Sequence, residues 1–259
     1  MNKVKKQEIT NRHGLNLVFS VENEAGKSGL VFILHGLGGT REQPHIKVLR
    51  EAFAEHDFVV VAIDATNAFG ESGGDIINVS ASSYIADLED VITWSSSQAW
   101  YSEPFVIAGH SLGGIAQLVY ADKHPDKVRA LAPLNTVISG KIWRDSIEAD
   151  FLKTWKETGY FEKVSRSTPG KVGKVGWGLM EDMQQYDALA IAPSIKCPVL
   201  LIAGGEEEAP SGPDEQKHLE NALGGIKELH VVDGMPHTPA QPKHIAEFKE
   251  IVSSWVDSI

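Results

Sequence analysis

The sequence predicts an α/β fold: a mostly parallel eight-stranded sheet with helices on both faces. Six apolar, β-branched runs recur along the chain, and stretches with apolar residues three and four apart lie between them. Runs that are continuous rather than alternating are how strands covered on both faces read. The regular exchange of strand and helix requires crossover connections, which give a parallel sheet wound on both sides. With 42% hydrophobic residues in a chain of 259, there is enough apolar material for one such domain with an insertion.

The elements follow in order. "KKQEITN" and "LNLVFSVEN" flank "RHG" and predict an antiparallel hairpin at the amino end. "GLVFILHG" (29–36) and "FVVVAIDA" (58–65) are the next strands, separated by a helix marked by Ile46, Leu49 and Phe53. A second helix carries Tyr84, Leu88, Val91 and Trp94 and leads to the strand "FVIAGH" (105–110). A helix with Leu118 and Ala121 then precedes "VRALAPL" (128–134). The last strands are "PVLLIAG" (198–204) and "ELHVVDG" (228–234), and Ile245, Phe248, Ile251 and Trp255 mark the closing helix.

From Ile138 to about Lys196 the rhythm stops. No buried strand is legible there, aromatics are dense, and "STPGKVGKVGWG" (167–178) reads as a hairpin or mobile loop. We read residues 138–196 as a lid inserted between the sixth and seventh strands, with 1–137 and 197–259 forming the core. Trp143, Trp155, Tyr160 and Trp177 are its candidate substrate-contacting residues. The competing reading makes them the lid's own small core.

Composition narrows the partners. A formal net charge of −11 disfavours phosphate backbones and anionic lipid, and the one basic cluster, Lys3, Lys5 and Lys6, reads as a solvated end. The single cysteine, Cys197, rules out an internal disulfide and a cysteine-based zinc site and reads as a buried thiol. No apolar run is long enough to span a bilayer, and the amino terminus has no secretory h-region. A cytoplasmic protein acting on a small molecule, without metal or other cofactor, is the expectation. Monomer and homodimer both stay open.

The chemistry centres on Gly109-His110-Ser111-Leu112-Gly113, where a buried strand turns straight into a helix. A G-x-S-x-G in that context holds its serine on a strained bend above the sheet, with glycines where strand and helix nearly touch. The helix dipole behind it favours negative charge developing nearby. Serine needs a base, and the base needs an orienting carboxylate, in the chain order serine, acid, histidine. Most of the ten histidines have ordinary explanations. His45, His56, His124, His218 and His244 fall on expected helices or their ends as solvated residues, His13 belongs to a turn, and His230 is a candidate core histidine. His237, in the loop after the last strand, is the candidate base.

The acid should follow "PVLLIAG", where Glu206, Glu207 and Glu208 stand together. Their mutual repulsion lets one be buried against a histidine while the others stay in water. The offset from Gly204 selects Glu207, the distance back from Pro210 selects Glu206, and a wholly solvated charge run is the third reading. For the oxyanion, the backbone N–H of Leu112 and that of Leu37 in "LHGLGGT" (34–40) are the candidate donors. Ser72, in "ESGG", has no helix close behind and reads as a turn residue.

"HGLGG", "FGESGG", "GHSLGG" and "GMPHTP", in this order and at these intervals, resemble the α/β-hydrolase superfamily across nearly the whole chain outside the insertion. Within it the chain looks most like small bacterial carboxylesterases of the cinnamoyl (feruloyl) esterase type. The resemblance implies an α/β-hydrolase fold and a serine carboxylesterase acting on small to medium esters, hydroxycinnamoyl esters among them. By position it puts the nucleophile at Ser111, the base at His237 and the oxyanion amides at Leu37 and Leu112. Two residues depart from that pattern: glutamates stand where such esterases usually have an aspartate, and Leu112 stands where feruloyl esterases often have glutamine. Thioesterase, lactonase, perhydrolase and peptidase activities share the same triad, and a non-catalytic binding protein is the remaining alternative.

Overall fold

In the computed structural model, which describes residues 4–165, 170–207 and 209–259, the chain opens with the expected hairpin. β1 (Lys5–Thr10) pairs antiparallel with β2 (Asn16–Glu22). There follow β3 (Gly29–Leu34), α1 (Pro44–Glu55), β4 (Phe58–Asp64), α2 (Ala81–Ser95), β5 (Phe105–His110), α3 (Leu112–Lys123) and β6 (Val128–Leu134). Residues after β6 form α4 (Gly140–Ser146), α5 (Ala149–Thr158), β7 (Tyr160–Val164), β8 (Val172–Gly176), α6 (Gly178–Met183) and α7 (Ala188–Ile191). The chain closes with β9 (Val199–Gly204), α8 (Pro213–Ala222), β10 (Lys227–Val232) and α9 (Pro242–Val256).

Eight of these strands make one sheet in the order β1-β2-β4-β3-β5-β6-β9-β10. Only the β1–β2 and β2–β4 pairs are antiparallel; the rest run parallel. Successive side chains of a strand point to opposite faces, so β3 sends Leu30, Phe32 and Leu34 into one apolar layer and Val31 and Ile33 into the other. The second layer is closed by Leu49 and Phe53 of α1 and by Phe248, Val252 and Trp255 of α9. The first is closed by Tyr84 and Leu88 of α2, Ile115 and Leu118 of α3, and Leu219 of α8. The continuous runs of β3, β4, β5, β6 and β9 thus read correctly as strands covered on both sides.

β6 and β9 are neighbours in the sheet, in register at Leu131–Val199 and Leu134–Ile202. The chain therefore leaves the sheet after β6 and re-enters beside the place it left. Residues 138–196 stand between as helices plus the two-stranded β7–β8 pair. Residues 167–169 of the Gly- and Lys-rich stretch, together with Lys3 and Glu208, lie outside the described residues. Among the described residues, no helix is long and apolar enough to cross a membrane.

Several expectations need correction. β10 is not fully covered: it sits at the sheet edge, bonded only to β9, and of its six residues only Val232 is buried. His230, on that strand, is therefore partly open to solvent, paired with Glu228 rather than packed in a core. His45 and His244 are buried rather than solvated, because α1 and α9 turn those positions toward the sheet. Cys197 is half-buried, and burial pushes its thiol up to about 11. α8, with the polar sequence "PDEQKHLENA", was not legible, since Gln216 and Leu219 are its buried residues. Ser72 is the turn residue expected: its hydroxyl donates to the Asp64 carbonyl and accepts from the Val18 N–H at 2.8 Å.

Candidate active site

Ser111 stands between β5 and α3 with φ 53° and ψ −111°, a left-handed backbone that a non-glycine residue adopts only where the surroundings impose it. Its N–H donates to the Leu134 carbonyl at 2.9 Å, which ties the bend to the end of β6. The flanking glycines answer to contact. A Cβ on Gly109 would lie 2.6 Å from the Gly113 carbonyl oxygen, and one on Gly113 would lie 2.7 Å from the His35 carbonyl oxygen. No side chain fits at either place, so the serine is lifted clear of the sheet.

His237 lies in the loop between β10 and α9. Its Nε2 is 2.9 Å from Ser111 Oγ, and its Nδ1 is 2.8 Å from Glu207 Oε2. The structure thus brings Glu207, not Glu206, to the histidine. The turn after β9 sets the choice: the Glu207 N–H donates to the Gly204 carbonyl at 3.1 Å and the Glu206 N–H to the Met235 carbonyl at 3.2 Å. Burial pushes the Glu207 carboxyl up, but the His237 hydrogen bond and charge, with help from Ser211, outweigh it and hold the group below the usual carboxylate range. Glu207 is therefore an ionised partner for Nδ1.

Three supporting residues were not singled out in the sequence. Asn135, fully buried at the end of β6 with φ 43°, accepts from the Gly204 N–H at 2.7 Å and donates to the His237 carbonyl at 2.9 Å. One side chain so pins the β9 end and the histidine loop together. His110 Nε2 donates to the same carbonyl at 2.6 Å. Ser211 Oγ lies 3.2 Å from both Glu207 Oε2 and His237 Nδ1. A left-handed Asn directly after a buried strand is the one signal that could have pointed to Asn135; His110 acts through a partner 127 residues away, and Ser211, four residues after Glu207, has nothing in its neighbourhood to say that it faces the carboxylate. Asn135→Ala should lose about 1–3 kcal/mol of stability, the cost of leaving buried partners unpaired, readable from denaturant unfolding.

A cavity of about 460 Å³ opens over Ser111 and His237. Leu37 and Leu112 line it, and neither backbone N–H donates to a protein acceptor among the described residues. Gly36 keeps the loop close, since a Cβ there would meet His110 Nδ1 at 2.7 Å. The insertion contributes Trp143, Lys163 and Leu179 to the wall. The other three aromatics expected there do not line it. Trp155 is the buried centre of the insertion, with Phe161 and Trp177 rings at 4.8 and 5.3 Å and its indole N–H on the Val175 carbonyl. Trp177 faces a separate groove beside Lys156, and Tyr160 lies under the Lys174 ammonium at 4.1 Å. Trp155, with Trp177 packed on it, follows the small-core reading, and Tyr160 follows neither; an aromatic run does not say which ring faces inward.

The comparisons agree with this picture. An uncharacterized 31.7 kDa protein of Escherichia coli, from the traX-finO intergenic region, is 26% identical over 250 residues, 84% of this chain and 86% of that one. Cutinase est1 of Thermobifida alba is 32% identical over 120 residues, 45% of this chain and 38% of that one. Among solved structures, Est1E of Butyrivibrio proteoclasticus with ferulic acid bound superposes with a TM-score of 0.81, covering 97% of this chain and 98% of that one at 19% identity. A family model, Hydrolase_4, described as serine aminopeptidase, S33, matches residues 25–164, more than half the chain and the part that carries β3 through β6 and the serine bend. The chain therefore belongs to the Hydrolase_4 family and is a serine hydrolase of the α/β-hydrolase fold.

Proposed function

We propose that the chain is a serine carboxylesterase with Ser111 as nucleophile, His237 as base and Glu207 as the acid. The observation that carries the reading is the continuous hydrogen-bonded array Ser111–His237–Glu207, 2.9 and 2.8 Å, at the floor of the cavity. Ser111 Oγ attacks the ester carbonyl carbon while its proton passes to His237 Nε2. The carbonyl oxygen, now anionic, is held by the Leu37 and Leu112 N–H groups, with the α3 dipole behind them. The tetrahedral adduct collapses, the C–O bond to the alcohol breaks, and His237 gives its proton to the departing oxygen. Water then attacks the acyl-serine by the same steps and releases the acid. Glu207 keeps Nδ1–H pointed away from Ser111 and stabilises the imidazolium.

Residues 138–196 serve as the lid over this site, with Trp143 and Leu179 forming an apolar wall suited to the acyl group. Hydroxycinnamoyl esters join small to medium alkyl esters as the substrate class, supported by the likeness to the ferulic-acid-bound esterase and to the cutinase. The cytoplasm is the proposed compartment. A peptidase reading draws on the family description and on Glu206, a second carboxylate in the cavity wall that would suit a free amine.

Hydrolysis of p-nitrophenyl acetate, butyrate and octanoate, methyl ferulate and an aminoacyl p-nitroanilide tests these together. Turnover of the esters with the anilide untouched is expected; cleavage of the anilide alone would replace the esterase reading by the peptidase one. Glu207→Gln should lower kcat by about four orders of magnitude, because an amide in place of the carboxylate neither fixes the productive tautomer nor balances the imidazolium. Glu206→Gln should leave kcat on neutral esters within about twofold, since it removes only a charge beside the site. The reverse pattern would move the acid to Glu206.

A further inference from the structure

Resting on the reading of Glu207 as the acid, we propose that Ser211 is a positioning residue that keeps the Glu207 carboxylate aimed at His237. The geometry is a closed triangle. Ser211 Oγ–H donates to Glu207 Oε2 at 3.2 Å, the same oxygen faces His237 Nδ1 at 2.8 Å, and Ser211 Oγ stands 3.2 Å from Nδ1. Ser211 is buried and is itself anchored. Its carbonyl accepts from Gln216 Nε2 at 3.3 Å, and that amide, fully buried on α8, also donates to the Thr136 carbonyl at 2.7 Å. The Ser211 backbone is thus tied to α8 and, through Gln216, to the turn after β6.

A glutamate has one more rotatable bond than an aspartate, and each free torsion costs entropy to hold. A second donor on the oxygen that faces Nδ1 removes that freedom. A hydrogen bond to an ionised acceptor is also about twice as strong as a neutral one, so the same contact favours the charged carboxylate. Ser211 carries no charge and cannot itself balance the imidazolium. Its effect on that charge passes through Glu207.

The experiment is a double-mutant cycle on the full chain with p-nitrophenyl butyrate. Ser211→Ala should lower kcat about tenfold, the scale of a hydrogen bond to a charged group, with KM unchanged. Ser211→Thr, which keeps the hydroxyl, should keep kcat near wild type. In the Glu207→Gln background, Ser211→Ala should cost less than about twofold, because coupled residues are not additive. Should the alanine variant fail to fold, Ser211→Cys, close in shape and a weaker donor, carries the same expectation. An unchanged kcat in Ser211→Ala, or an undiminished loss in the Glu207→Gln background, overturns the proposal. If Glu207→Gln is itself harmless, the reading of the acid fails instead, and Ser211 falls with it.

Discussion

Ser111→Ala should abolish turnover, lowering kcat by roughly four to six orders of magnitude, because nucleophile and base act as one unit and removal of either disables both. The variant should fold normally. Ser111 makes no side-chain contact that holds the bend: its N–H, not its hydroxyl, bonds to Leu134, and the flanking glycines fit whatever sits between them. Ser111→Gly should lose the same activity and gain stability, about 1 kcal/mol, because glycine takes φ 53° without the penalty a side chain imposes. Initial rates on p-nitrophenyl butyrate, thermal melts of the three proteins and labelling by a fluorophosphonate check the set. A serine variant that keeps its rate, or a wild type that takes up no label, would remove Ser111 from the chemistry.

The second large effect is acid destabilisation, and three buried histidines set it. Burial lowers His35, opposed in part by Asp64 and the Gly36 carbonyl. It lowers His45 to about 3. It takes His110 well below its ordinary value, with His45 and His237 adding to the fall. His45 and His110 meet edge to face, ring centroids 4.4 Å apart. All three are held toward the neutral form in the folded chain, while the unfolded chain protonates them near pH 6.5. A group depressed on folding contributes stability that is complete above its unfolded value and lost as pH falls below it. Below the unfolded value each such group costs about 1.4 kcal/mol per pH unit, so His45 alone should remove about 1.4 kcal/mol between pH 7.5 and 5.5, and His35 and His110 act in the same direction. Against a usual total of about 5–15 kcal/mol, the loss is large enough to read in mild acid. Urea melts across that range check the slope, and His45→Phe should make it shallower. A flat profile would mean that these rings are protonated in the folded state.

The contrast between what the sequence disclosed and what it withheld has a physical pattern. Strands were legible because coverage on both faces forces continuous apolar runs, and the serine bend because it needs glycine at fixed offsets. His237 followed from chain order alone. Glu207 and Glu206 could not be separated, since the selection rests on two backbone bonds to Gly204 and Met235. His45 reads as solvated in sequence because one face of α1 cannot be told from the other when a histidine lies among apolar neighbours. Trp155 and Trp143 are alike as letters, yet one fills the insertion and the other lines the cavity. Asn135 and His110 act through partners distant in sequence, and Ser211, though only four residues from Glu207, carries no local pattern that marks it.

One feature of the sheet bears on durability. His237 hangs from β10, which is bonded on one side only and largely uncovered, whereas Ser111 rises from the fully covered centre at β5. Excursions that open a molecule partway begin at such margins, at a free energy below that of global unfolding. Fraying of β10 would carry the base away from the nucleophile while the interior stayed intact, held back chiefly by the grip of Asn135 and His110 on one carbonyl. On warming, the protein would fall silent before it melts, and cooling would restore it.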